Sequence, residues 1–147
     1  MTDVVITVRG SHAVTSSPEQ ATVYAVVSAD GPAPEPVFGL VAASLAELTE
    51  SLPVTRYTVE QIRTGAHRPY NQDGHQLPLV HTASAAVTAT FTDFEDLAAW
   101  IGRTAGLAGL AVNHIEWALT EQRRLTVERE TRQEAVRDAR RRAQDYA

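Results

Sequence analysis

From Thr82 to Phe91 the chain places apolar residues at every odd position, Ala83, Ala85, Val87, Ala89 and Phe91, against hydroxyls at Thr82, Ser84, Thr88 and Thr90. A period of two is that of a β-strand, whose successive side chains leave opposite faces of the sheet. Such a strand has one face to bury and one to leave wet, so the chain needs a second layer over the odd face. Ala21, Val23, Ala25, Val27 and Ala29 repeat the pattern, with Thr22, Tyr24 and Ser28 opposite them. The run Val4, Val5, Ile6, Thr7, Val8 reads as a further strand, ahead of a break at Gly10 and Ser11.

The second layer is legible in the segments between. Val37, Leu40, Val41, Leu45, Leu48 and Leu52 share one face of a helix that opens on Pro34 and Pro36 and is stopped by Pro53. Residues 54–64 return to β-rich composition, but their parity slips between Val59 and Ile62, which predicts a bulge or bend. Residues 63–78 read as a long hairpin with a Gly, Pro, Asn and Asp tip. Asp93 is placed to cap a helix with Phe94, Leu97, Ala98 and Ile101 as its buried stripe, ending at Gly106 or Gly109. A strand over residues 112–120 puts Ile115, Trp117 and Leu119 on one side. A last helix, residues 126–146, carries the narrow stripe Ala135, Ala139, Ala143 and Tyr146, with Asp138 paired to Arg142 and Glu134 to Arg137 by helical spacing. The predicted order is ββαββαβα: one α+β domain over residues 1–147, a mainly antiparallel sheet with helices packed on it.

Composition removes whole classes of chemistry. Among 147 residues there is no cysteine, hence no disulfide, thiolate nucleophile or thiolate metal site, and no lysine, hence no Schiff base. No apolar stretch reaches the roughly 18 residues a membrane span needs. Up to Thr120 five Arg face twelve acids, and beyond it eight Arg face six, so the body lacks the basic surface that nucleic acid requires. With Asp3 near its start and no apolar leader, the chain is expected to be cytoplasmic.

A metal site would have to use the hairpin histidines His67, His75 and His81, with Glu60 or Asp73, but no helical His pair or regular ligand spacing unites them. Ser84, His114 and Asp93 have the residue types of a hydrolase triad, yet Ser84 sits in mid-strand rather than on a nucleophile turn. Glu116 and Glu121 flank Trp117 without a visible cleft for paired-carboxylate chemistry. No catalytic residue, cofactor or metal is therefore expected. Trp100, which departs from the stripe of its helix, is a candidate for a subunit interface, as are Arg140, Arg141 and Tyr146 at the end of the last helix.

The segments ITVRG, QATVYAVVSADG, AELTESL, IRTGAHRPY, TATFTDFEDL, IEWALT and QEAVRDARRRAQDYA follow one another in an order that resembles the SIMPL domain, or DUF541, family. The resemblance runs from Val4 onward and contains no catalytic motif. It implies an α+β fold and self-association into rings or larger assemblies, with many members exported and some linked to oxidative-stress tolerance. SIMPL domains run past this helix into further strands, so the resemblance implies either that a neighbouring subunit covers the terminal helix and its sheet edge, or that the chain is a fragment of a longer protein. The function expected is that of a non-enzymatic protein whose partner is itself; the alternative is a small-molecule or metal-binding enzyme built on His67, His75 and His81.

Overall fold

The computed structural model describes residues 3–71 and 73–147. Its elements are β1 (Gln20–Gly31), α1 (Pro34–Glu50), β2 (Tyr57–Val59), β3 (Arg63–His67), β4 (Val80–Phe91), α2 (Phe94–Thr104), β5 (Leu110–Ala118) and α3 (Glu121–Asp145). The class is the expected α+β, with three helices and an antiparallel sheet ordered β2-β4-β1-β5, β3 also pairing with β4. In detail, residues 4–8 lie outside the sheet, and the strand expected over residues 54–64 is replaced by two short ones, β2 and β3, the second running into the expected hairpin.

The chain forms two compact units, Gln20–Trp117 and a second made of residues before Gln20 together with Ala118–Ala147. In the first, β1 and β4 pair along their whole length, from Ala21 opposite Phe91 to Gly31 opposite His81. Buried pairs on the odd face join a larger residue to an alanine: Phe91 with Ala21, Val23 with Ala89, Val87 with Ala25, Val27 with Ala85. This complementarity keeps the face level, so that α1 can lie along it without voids. Val37, Val41, Leu45 and Leu48 of α1 fill that interface, whereas Leu40, expected in the same stripe, is exposed. A face built of alanines and valines accepts only a narrow helical stripe.

The expected slip after Val59 is present. Val59 opposes Val87 and Arg63 opposes Ser84, so four steps along one strand match three along the other. The extra residue is a bulge that separates β2 from β3. Asp93 caps α2 as expected, its carboxylate accepting from the Glu95 and Asp96 N–H groups at 2.9 and 3.3 Å.

The stripe of α2 corrects the sequence reading. Trp100 is fully buried and Ala98 exposed, so the inward positions are Leu97, Trp100, Ile101 and Thr104, at i, i+3, i+4 and i+7. Trp100 packs on Phe91 with ring centroids 5.4 Å apart, and its indole N–H donates to Ser51 Oγ at 3.2 Å. Its polar atom is satisfied inside the unit, and it is a core residue with no surface to offer a partner.

In the second unit α3 runs beside the N-terminal segment. A Cβ added to Gly10 would stand 2.0 Å from the Ala135 carbonyl oxygen and 2.7 Å from the Ala139 Cβ. The Ser11 N–H donates to Asp138 Oδ2 at 3.0 Å. The alanine stripe expected to await another subunit is thus met, at Ala135 and Ala139, by this chain's own glycine.

Candidate functional site

β1 and β4 present their even positions on the face away from α1. Thr22 and Thr90 are cross-strand partners with hydroxyls 3.2 Å apart, and Tyr24 opposes Thr88. β2 adds Thr58 and Tyr57, with Arg56 just before it, around an open depression of about 530 Å³. On β5, His114 lies flat against Tyr24, ring centroids 4.4 Å apart and planes 13° apart, and Glu116 Oε2 accepts from the Tyr24 hydroxyl at 3.1 Å.

The electrostatics of this cluster run against catalysis by the phenol. The hydrogen bond to Glu116, and then the Glu116 charge, raise the Tyr24 pKa above its ordinary value. A phenolate base needs the opposite shift, because its useful form at neutral pH is the ionised one. Tyr24 is a fixed donor, with its ring face occupied by His114.

The hairpin histidines are not brought together. His67 opposes Val80 while His81 opposes Ala66. Val80 and His81 are adjacent on β4, so the two imidazoles leave the sheet on opposite faces. His75 is exposed in the loop, beyond the turn in which Asn71 Oδ1 accepts from the Asp73 N–H. Among the described residues no group of three His, Asp or Glu side chains is placed to hold a metal ion. Ser84 sits opposite Ser28 on the hydroxyl face, Asp93 is engaged as a helix cap, and His114 stacks on Tyr24. Glu121 pairs with Arg124, which lowers the glutamate's pKa through their hydrogen bond.

At the other end, Asp138 receives Arg142 at 3.0 Å and Arg141 at 3.5 Å, and Arg137 pairs with Glu134. Tyr146 is 71% exposed, and with Arg142 and Asp145 it borders an open recess whose other wall is Ile6, Val8 and Arg9. Arg140 is exposed and makes no ion pair among the described residues. The sequence reading missed the Gly10 seat. Its signal was a glycine following a strand-like run in a chain that also carries an alanine-striped helix.

The strand-like segments and the terminal helix together match the profile of SIMPL, described as a protein of unknown function (DUF541), over residues 6–147. The chain belongs to the SIMPL family. No curated protein matches it. Among solved structures, this SIMPL chain is similar to one described as an amidohydrolase/peptidase from Burkholderia cenocepacia, at 17% identity and TM-score 0.31, covering 71% of this chain and 29% of that one. A hydantoinase/carbamoylase family amidase from Burkholderia ambifaria gives 16% identity and TM-score 0.25, covering 69% and 28%. The SIMPL chain spans less than a third of either protein, and likeness at this level carries no argument about activity. No helix among the described residues is long and apolar enough to cross a membrane.

Proposed function

We propose that this SIMPL chain is a non-enzymatic, self-assembling protein whose role is performed by the oligomer. The observation that carries the reading is the run Val4, Val5 and Ile6, 84%, 86% and 43% exposed, strand-like in sequence and outside the sheet. Apolar side chains gathered at one place and left to water favour association, at roughly 25 cal/mol for each Å² removed from water. The polar groups of the sheet face support the same reading, because Tyr24, His114 and Glu116 are engaged with one another rather than poised for proton transfer. The test is native mass spectrometry with light scattering over a range of protein concentration. A defined oligomer is expected, and Val5→Asp should shift it toward lighter species. A monomer at every concentration, or a stoichiometric metal or small ligand retained through purification, would overturn the reading.

A further inference from the structure

We infer that the face of α3 bearing Arg129, Arg132 and Arg140 binds an oligophosphate, a short chain of linked phosphate groups. Such binding needs no self-association and goes beyond the role proposed above. α3 carries eight arginines, and four of them are matched by acids at helical spacing. Arg124 holds Glu121 and Glu128, Arg137 holds Glu134, and Arg141 and Arg142 share Asp138. Arg123, Arg129, Arg132 and Arg140 make no ion pair among the described residues. Arg123 stands apart, beside Glu130 and Glu134. Around the other three, the positions three and four residues away are apolar, hydroxyl, amide or arginine, except for Glu128, which Arg124 holds. Spacings of three, four and four put Arg129, Arg132, Val136 and Arg140 on one side of the helix.

This arrangement weakens the helix that carries it. Arg129 lies one turn from Arg132, and Arg137 one turn from Arg140, and like charges at that spacing repel. α3 has no buried residue to offset the repulsion. The helix dipole does not account for the three arginines either, because it acts within the last turn, where Arg142 stands, and all three lie before it. A bound anion converts the repulsion into attraction.

At the centre of this face Arg132, Gln133, Arg137 and Arg140 ring the exposed Val136 around an open recess of about 380 Å³. All five residues belong to α3, so helical spacing alone sets the geometry. No carboxylate lines the recess, and apart from the Gln133 carbonyl its polar side-chain groups only donate. The ligand must therefore bring negative charge and acceptors. From Arg129 to Arg140 the row extends about 16 Å along the axis, more than one phosphate can serve. Linked phosphates carry charge along the whole row and give each guanidinium fork a pair of oxygens. An acidic peptide would also bring its own backbone N–H donors, for which this face has almost no acceptor.

The probe is sodium tripolyphosphate, titrated calorimetrically into the full chain at constant ionic strength. Binding should weaken at least about tenfold in Arg132→Gln/Arg140→Gln, the equivalent of one charged hydrogen bond. It should weaken less than about threefold in Arg56→Gln/Arg123→Gln, which removes the same charge elsewhere and leaves only screened, distant effects. Glutamine keeps the helix propensity of arginine, and each variant is first shown to have the parent's circular dichroism. Tripolyphosphate should also slow amide exchange across residues 129–140 of the parent but not of Arg132→Gln/Arg140→Gln, because a ligand stabilises the form it binds. No binding, or equal weakening in the two double variants, overturns the site. Orthophosphate binding as tightly as tripolyphosphate overturns the chain of phosphates in favour of a single anion. Tighter binding through the same arginines to poly-glutamate, to anionic lipid vesicles or to single-stranded RNA overturns the oligophosphate in favour of that partner.

Discussion

Gly109 leads the chain into β5 with φ +78°, and a Cβ built on it would lie 2.1 Å from the Ser28 carbonyl oxygen. Two separate demands meet at this residue. The left-handed backbone disfavours any side chain, and the close approach lets the Ser28 N–H donate to the Gly109 carbonyl at 3.0 Å. Gly74 also has positive φ, at +75°, but nothing among the described residues lies within 4 Å of the Cβ it lacks. The comparison separates conformation from crowding. Gly109→Ala should cost about 2–4 kcal/mol, the sum of an unfavourable φ and an overpacked contact. Gly74→Ala should cost only the first part, about 1 kcal/mol. Urea unfolding of the two variants checks this; equal losses would show that the Ser28 contact yields without cost.

At the scale of elements, the periods of β1, β4 and α1 were legible because one face of each meets a single flat layer, so burial follows sequence parity directly. The bulge after Val59 was legible for the same reason: a slip in apolar parity is a slip in register. In α2 the sequence placed Ala98 inward and Trp100 outward, yet the larger aromatic takes the buried site because Phe91 and Ser51 receive its ring and its N–H. The pairing of residues 6–16 with α3 was not legible, since Gly10 and Asp138 are far apart in sequence and no period links them. The open-face cluster was half legible: alternation placed Tyr24 away from the core, but the Tyr24 to Glu116 bond depends on which strand neighbours β1. The Ser11 contact makes a prediction about acid. The Asp138 pKa is lowered chiefly by the Ser11 N–H, with Arg142 and Arg141 adding to it. A carboxylate with a depressed native pKa contributes stability above its unfolded value near 3.9, and that contribution is lost as pH falls through the native value. Protection of the Ser11 amide, its exchange rate relative to an unstructured amide at the same pH, should therefore hold near neutrality and fall away below about pH 4, and Asp138→Asn should lower it near neutrality. A Ser11 amide that is equally protected in Asp138→Asn would show that the carboxylate does not hold the segment.

For the whole chain, stability is distributed unevenly. Among the described residues, every buried one lies between Ala21 and Thr104, within the unit Gln20–Trp117. The other unit has a 25-residue helix with no buried residue, held to its N-terminal segment by the Gly10 seat, the Ser11 bond and half-covered side chains. The surface ion pairs along α3, such as Arg142 with Asp138, are each worth a few tenths of a kcal/mol, which sustains a helix but does not make it as stable as a packed core. Regions with few buried contacts open at lower free energy than the core. Two optical probes separate the units, because both tryptophans, Trp100 and Trp117, lie in the sheet unit while the longest of the three helices lies outside it. In a urea titration at low protein concentration, far-ultraviolet circular dichroism should begin to fall before tryptophan fluorescence changes. At higher concentration the two curves should draw together, because an oligomer that recruits residues 4–8 also anchors the segment lying on α3, and association stabilises whatever it orders. Coincident curves at every concentration would show that α3 and the sheet unfold as one body and that the core's stability extends to the terminal helix.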